Sequence, residues 1–129
     1  PGPYLREWAE VEVPRLAAGA TVRDALGVMT ETPGRPGAAV IVGADGVLRG
    51  IFTDGDLRRL AQSPQGIALD DLVDHHMAAS PRFVREGQLV GEALHMVRDA
   101  HIDQVPVVAD EGETLVGLVD VQDLLEVRL

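Results

Sequence analysis

The chain of 129 residues is long enough for one ordinary domain or two small modules that share a core, and it needs no metal or disulfide staple to bury roughly two-thirds of its unfolded surface. Eleven basic against 21 acidic side chains leave a net charge of −10, which excludes a general binder of DNA or RNA and argues against an anionic lipid surface. Cysteine is absent, so disulfides, thiolate zinc sites and cysteine nucleophiles are excluded, and with aromatics at 3% the core has to be built from Val, Leu, Ile and Ala.

In chain order, Tyr4–Ala9 reads as a short helical piece and Glu12–Leu16 as a short extended one. Thr21 is an N-cap type ahead of a helix that runs to Glu31. Ala38–Val42 and Val47–Phe52 read as strands joined by the turn Ala44-Asp45-Gly46, a hairpin, and Asp54–Ala61 as the helix that follows. Leu69–Met77 is expected to be a linking helix, ended by Ser80-Pro81. Pro81–Val84 is again extended. Leu89, Val90, Ala93, Leu94 and Val97 fall on one face of a helix expected over Leu89–Ala100. Strands Val105–Ala109 and Leu115–Val119 flank the turn Asp110-Glu111-Gly112, and a helix over Val121–Val127 closes the chain. No apolar run approaches the roughly 20 residues of a membrane span, and no basic-then-apolar leader opens the chain, so a cytoplasmic location is expected.

The chain repeats itself. Gly50-Ile51-Phe52-Thr53-Asp54-Gly55-Asp56-Leu57 returns as Gly117-Leu118-Val119-Asp120-Val121-Gln122-Asp123-Leu124, an offset of 67 residues from Gly50 to Gly117. Pro14-Arg15-Leu16 returns as Pro81-Arg82-Phe83, Val22 to Leu26 as Val90 to Leu94, and Val40-Ile41-Val42 as Pro106-Val107-Val108, in the same order. The expected architecture is therefore a tandem β-α-β-β-α unit, an α/β fold, partitioned as residues 1–66 and 67–129. One such unit buries its sheet and helix faces poorly alone. Two copies packed as a pseudo-two-fold pair share a core and leave a cleft between them.

The turn after Phe52 leaves a strand and enters a helix, where free backbone N–H groups and the helix dipole suit an anion. Thr53 adds a hydroxyl donor, and Asp56, one turn on, offers a carboxylate to a pair of ribose hydroxyls. Asp54 shares the turn, its carboxylate expected to point away from Thr53 and Asp56. The plainer reading is that Thr-x-x-Asp is a capping box that only satisfies the helix end. Arg58 and Arg59 follow, within reach of an anion or of neighbouring carboxylates. His75 and His76 are adjacent, so they point about 100° apart on a helix and make a poor metal pair. His95 and His101 are likewise not spaced to share a face, Ser80 reads as a turn residue, and the glycines match no phosphate-loop pattern.

Gly-apolar-apolar-Thr-x-x-Asp closing a repeated β-α-β-β-α unit resembles the CBS domain pair, over nearly all of residues 10–128. His76 to Pro81 and Ile102 to Val108, with its Pro-Val-Val strand, are similar to that family too. Gly50 to Arg59 looks like the C-terminal regulatory part of arabinose 5-phosphate isomerases, in which a sugar-isomerase domain comes first and a CBS pair second. The resemblance implies a nucleotide ligand in the inter-repeat cleft: AMP, ATP or a sugar nucleotide such as CMP-Kdo. It assigns Thr53 to phosphate and Asp56 to ribose. It carries the ribose aspartate over to Asp123, while the phosphate position of the second copy holds Asp120, a departure from the family pattern. For the base it points to Arg15, Leu16, Ala38 and Ala39, and in the second copy to Arg82, Phe83, Asp103 and Gln104. Implied partners are a missing N-terminal catalytic domain and a second copy of the chain, with no nucleic acid and no membrane.

Three functions compete. A ligand-sensing regulatory module with no chemistry of its own fits the repeat and the clamp turn. A structural module that dimerises a host enzyme fits Asp120 and the acidic charge. A small hydrolase using Asp54 and Asp56 would need a metal or a raised pKa, and no base or oxyanion set accompanies them.

Overall fold

The computed structural model describes residues 2–34, 36–97 and 102–125. Two compact units emerge, Glu12–Pro81 and Pro1–Val11 with Arg82–Leu129, here the first and second unit. Relative to the expected partition at residue 66, the N-terminal segment and the linker have changed sides.

In the first unit, β1 (Arg15–Ala17) leads to α1 (Val22–Glu31), β2 (Ala38–Val42), β3 (Leu48–Thr53), α2 (Asp54–Gln62) and β4 (Ala78–Ala79). The sheet order is β1-β2-β3-β4, with β1 parallel to β2 and the other pairs antiparallel. The second unit repeats this with β5 (Val84–Arg85), α3 (Val90–Val97), β6 (Gln104–Val108), β7 (Leu115–Asp120) and α4 (Val121–Leu125), in sheet order β5-β6-β7. The expected β-α-β-β-α order holds in both, and most bounds agree to one or two residues. The last residues expected for the second and last helices of the second copy, 98–100 and 126–127, lie outside the described residues, as does His101. Both hairpins turn on a glycine in the left-handed region, Gly46 at φ 79° and Gly112 at φ 73°, where a Cβ is disfavoured. Both also shift register one residue before the turn, between Ile41 and Val42 and between Val107 and Val108.

Each unit has its own core. Leu16, Val22, Ala25, Met29, Ala39, Ile41, Phe52 and Val73 fill the first. Val84, Val90, Ala93, Val97, Val105, Val107 and Val119 fill the matching places in the second, with Leu5, Val121 and Leu124. The first core has one large ring, Phe52, where the second has Val119, and the second makes up volume with Leu5 and Leu124.

The linking helix expected over Leu69–Met77 is absent. That stretch holds only a single 3₁₀ turn, Val73–His75, and Tyr4–Ala9 likewise holds only Leu5–Glu7. The physical reason is that the backbone groups bond elsewhere. Val22 and Arg23 at the start of α1 donate to the carbonyls of Asp71 and Leu69 (3.0 and 2.9 Å), and Val73 donates to Ala20 (2.8 Å). The single Val73 N–H, given to Ala20, cannot also reach the Leu69 carbonyl four residues back, and Arg23 takes that carbonyl instead.

Helix α1 starts on a capping box. Asp24 N–H donates to Thr21 Oγ1 (3.1 Å), and Thr21 N–H donates back to Asp24 Oδ2 (3.0 Å). The Thr21 backbone N–H first, and its hydroxyl second, hold the Asp24 carboxyl below its ordinary 3.8. A depressed folded value means that this contribution to stability is present above the unfolded value and is lost as pH falls through the folded one. We expect the urea midpoint of the wild type to fall more between pH 6 and pH 3 than that of Asp24→Asn. Parallel losses in the two proteins would show that the box contributes nothing to acid sensitivity.

Candidate functional site

The turn after β3 is built by strand register. Antiparallel pairing sets Thr53 opposite Ala38, and Asp54 N–H donates to the Gly37 carbonyl (3.0 Å), so β2 holds the chain up to the first residue of α2. Phe52, fully buried, anchors the strand from below. Ala38 is also fully buried and leaves the Thr53 side uncluttered. Thr53 keeps extended backbone (φ −112°, ψ 167°) as N-cap of α2. Its Oγ1 accepts from Asp56 N–H at 3.3 Å, while its own N–H and hydroxyl donate to Asp56 Oδ2 at 2.8 and 3.1 Å. Arg59 closes on the other oxygen, Asp56 Oδ1.

The two readings of Thr-x-x-Asp therefore meet in one place. The capping box is formed, and the Asp56 carboxylate, only 12% exposed, already receives three donors. A carboxylate has about four acceptor positions, so Asp56 keeps one for an outside hydroxyl and gains another if Arg59 leaves. The exposed Asp54 carboxylate sits over Gly37, its Oδ2 2.8 Å from where a Cβ would stand there, and not with Thr53 and Asp56.

The molecule contains its own control. Thr21-Val22-Arg23-Asp24 forms the same box at the start of α1. There the acid is exposed and its box holds no arginine; the nearby Arg23 pairs with Asp70. The box geometry alone is thus not a ligand signature. What distinguishes Thr53 is the half-buried acid, the arginine on it and the position at a strand end.

The second unit sets Gln104 opposite Asp120 by the same register, and Val121 N–H donates to the Asp103 carbonyl (2.8 Å), as Asp54 does to Gly37. The box is not repeated. Asp120 Oδ1 accepts from Gln122 N–H (2.8 Å) and its Oδ2 from Gln104 Nε2 (3.1 Å). Asp123 is exposed on α4 and joins no hydrogen bond among the described residues.

The remaining predicted residues scatter within their units. Arg15 is exposed on β1, opposite Val40 and not at the turn, while Leu16 and Ala39 are core. Arg82 is exposed and Phe83 half-buried, the latter under the Arg85 guanidinium (5.3 Å). His76 pairs with Asp71 (3.0 Å), and Ser80 sits in the left-handed region at φ 50°. Among the described residues no group of three or more metal-ligating side chains converges, and no helix is long and apolar enough to cross a membrane. Sequence reasoning missed a groove of about 730 Å³ in the second unit, lined by Leu94, His95, Ile102, Asp103, Gln122 and Leu125. The available signal was Leu125, an exposed apolar residue on the last helix beyond those the core uses.

Comparison with known proteins decides the family. The CBS domain pattern matches residues 6–63 and 70–129. The chain belongs to the CBS domain family. Among curated proteins it is 37% identical over 114 residues to the arabinose 5-phosphate isomerase KdsD of Escherichia coli and 35% identical to that of Pseudomonas aeruginosa, covering 88% of this chain in each case. It spans only about a third (33%) of the length of those relatives. Among solved structures it is similar to a CBS-domain protein of Agrobacterium tumefaciens (TM-score 0.79, 20% identity, 98% of this chain and 94% of that one). It is equally similar to CBSX2 in complex with AMP (TM-score 0.79, 20% identity, 96% of this chain and 94% of that one). The α/β tandem architecture is thus that of CBS domain pairs, and the family is regulatory, not catalytic.

Because Thr53 and Thr21 cap their helices alike, Thr53→Ala and Thr21→Ala should each lower stability by about 1 kcal/mol. Urea unfolding measures both. A Thr53→Ala protein as stable as the wild type would show that the box at α2 contributes no stability.

Proposed function

We propose that the chain is a ligand-sensing regulatory module that takes a nucleotide or sugar nucleotide (AMP, ATP or CMP-Kdo) at the Thr53 turn. Its host is an arabinose 5-phosphate isomerase-like enzyme of the cytoplasm, with the catalytic domain outside this chain. Residues 1–66 and 67–129 are the units of duplication.

The observation that carries this reading is the half-buried Asp56 carboxylate, held by Thr53 and Arg59 at the head of α2. A ligand phosphate draws on the α2 N-terminus and takes the Thr53 hydroxyl proton from Asp56 Oδ2, which frees a second acceptor position on Asp56 for the ribose hydroxyls. Support comes from the AMP complex among the structural neighbours and from the KdsD relatives. Asp120 makes the second turn unlike the first. Its carboxylate stands where Thr53 has a hydroxyl, and unit charges about 4 Å apart at an effective dielectric of 20 repel by about 4 kcal/mol. That turn suits a neutral sugar or base that bonds to Gln104 and Asp123, not a phosphate.

A structural reading competes on one observation: the Thr53 box is internally satisfied, like the box at Thr21. In either reading the module self-associates. The apolar helix residues proposed to drive this are Leu57, Leu60 and Ala61 with Leu124, Leu125 and Val127: Leu57 and Leu60 pack on the first core and Leu124 is buried in the second, Ala61 and Leu125 are exposed, and Val127 lies outside the described residues.

Calorimetry with AMP, ATP and CMP-Kdo separates the readings. The wild type should bind one of them, the Thr53→Ala/Asp56→Ala double variant should lose at least tenfold in affinity, and Asp120→Thr should gain phosphate binding. Saturating ligand at 100 times its Kd should stabilise the wild type by about 2.7 kcal/mol. No binding by the wild type would leave the structural reading. A sedimentation experiment that finds only monomer at high concentration would remove the self-association common to both.

A further inference from the structure

The N-terminal segment is part of the second unit, and its attachment is uneven. Leu5 is fully buried in the second core. Around it Tyr4, Arg6, Glu7 and Glu10 are exposed, and Trp8 and Ala9 are half-buried. The backbone bonds fall into two groups. Leu5 and Arg6 N–H donate to the Gln88 and Glu86 carbonyls (2.9 and 3.0 Å), and Val90 N–H at the head of α3 donates to the Pro3 carbonyl (2.8 Å). Farther along, Glu10 N–H donates to Leu118 O (2.8 Å) and Leu118 N–H returns to Glu10 O (3.0 Å).

That last pair closes a sheet edge. β7 has β6 on one side only, and the residue facing Leu118 on β6 is Pro106, which has no N–H to give. Backbone groups along an antiparallel strand point alternately to one side and the other, and at Leu118 both point away from β6, which is why a residue without an N–H is tolerated opposite it; Glu10 covers them. Gly117 makes the approach feasible: a Cβ there would stand 2.6 Å from the Glu10 carbonyl oxygen and 3.2 Å from Ala9 Cβ. Two residues beyond Leu118 lies Asp120, whose carboxylate caps α4 and holds Gln104.

An element with one fully buried side chain among mostly exposed residues is the kind that opens locally before the whole fold does. We propose that residues 2–10 form a strap that opens from the second unit independently, with its docking coupled through β7 to the strand-to-helix turn at Asp120. Chain attached ahead of the strap is thereby joined to the second unit, not to the first repeat that follows it in sequence. The inference does not depend on which ligand the module takes.

Trp8, the chain's single tryptophan, reports on the strap directly. It donates from Nε1 to the Gly2 carbonyl (2.8 Å) and packs on the second core. Its emission should shift at lower urea than the far-UV circular dichroism signal. In native-state hydrogen exchange, the Glu10 and Leu118 amides should exchange at least tenfold faster than those of Val105 and Val107. Leu5→Ala should speed Glu10 and Leu118 a further tenfold while Val40 and Ile51 of the first unit keep their rates. Gly117→Ala should do the same from the β7 side, and stands in if Leu5→Ala does not fold. Asp120→Asn should change the Glu10 and Leu118 rates at least threefold. Coincident Trp8 and dichroism transitions, with equal protection throughout, would overturn the independent strap. Strap rates unmoved by Asp120→Asn would overturn the coupling.

Discussion

Each closing strand has two edges and a hairpin partner for only one of them. An uncovered edge leaves N–H and C=O groups unpaired and invites association with another chain. The molecule solves this twice in the same way. Ala78 and Ala79 pair with Ile51 and Gly50 on β3, and Glu10 pairs with Leu118 on β7. Gly50 and Gly117 stand at these approaches. At Gly50 the neighbour that fills the Cβ space is the flexible Met77 side chain, whereas at Gly117 it is the Glu10 backbone. Edge coverage thus accounts for the glycine at Gly117, whereas at Gly50 the Met77 side chain could give way. The covering segments also deliver a buried residue each, Val73 and Leu5, so the edges and the cores depend on the same two pieces of chain.

That dependence reaches the candidate site. The hairpin register that puts Thr53 opposite Ala38 also puts Asp120 opposite Gln104. A shift of one residue would turn each of these side chains to the other sheet face. The same backbone frame therefore presents two different chemistries: a hydroxyl tied to a half-buried carboxylate and an arginine in the first unit, and a carboxylate tied to an amide in the second. The unlike turns are a property of side chains at two positions, not of any distortion of the fold.

The comparison of Thr21 with Thr53 limits what a short motif can say. Both are N-caps, both box with an aspartate three residues on, and both helices gain from it. Only the surroundings differ. Asp24 is open to water, and Asp56 is enclosed with Arg59 on its second oxygen. Capping and ligand recognition use the same donors and acceptors, so the residue types cannot separate them, but burial and the third partner can.

Much of this was legible in the residues. The duplication, the β-α-β-β-α order and the core faces followed from apolar spacing at one offset, because strand and helix periods are local properties that repeat with the sequence. The caps at Thr21 and Thr53 were legible for the same reason. The linking helix over Leu69–Met77 was not, since its carbonyls are claimed by α1, a competition among distant backbone groups that local propensity does not contain. Nor was the exchange of leading segments. The two repeats present equivalent edges with a glycine at the same place, so pairing Glu10 with its own repeat or with the other satisfies the sequence pattern equally. The place of Arg15 relative to the turn was not legible either: its strand partner is Val40, two positions along from Ala38, a register that only the folded sheet sets.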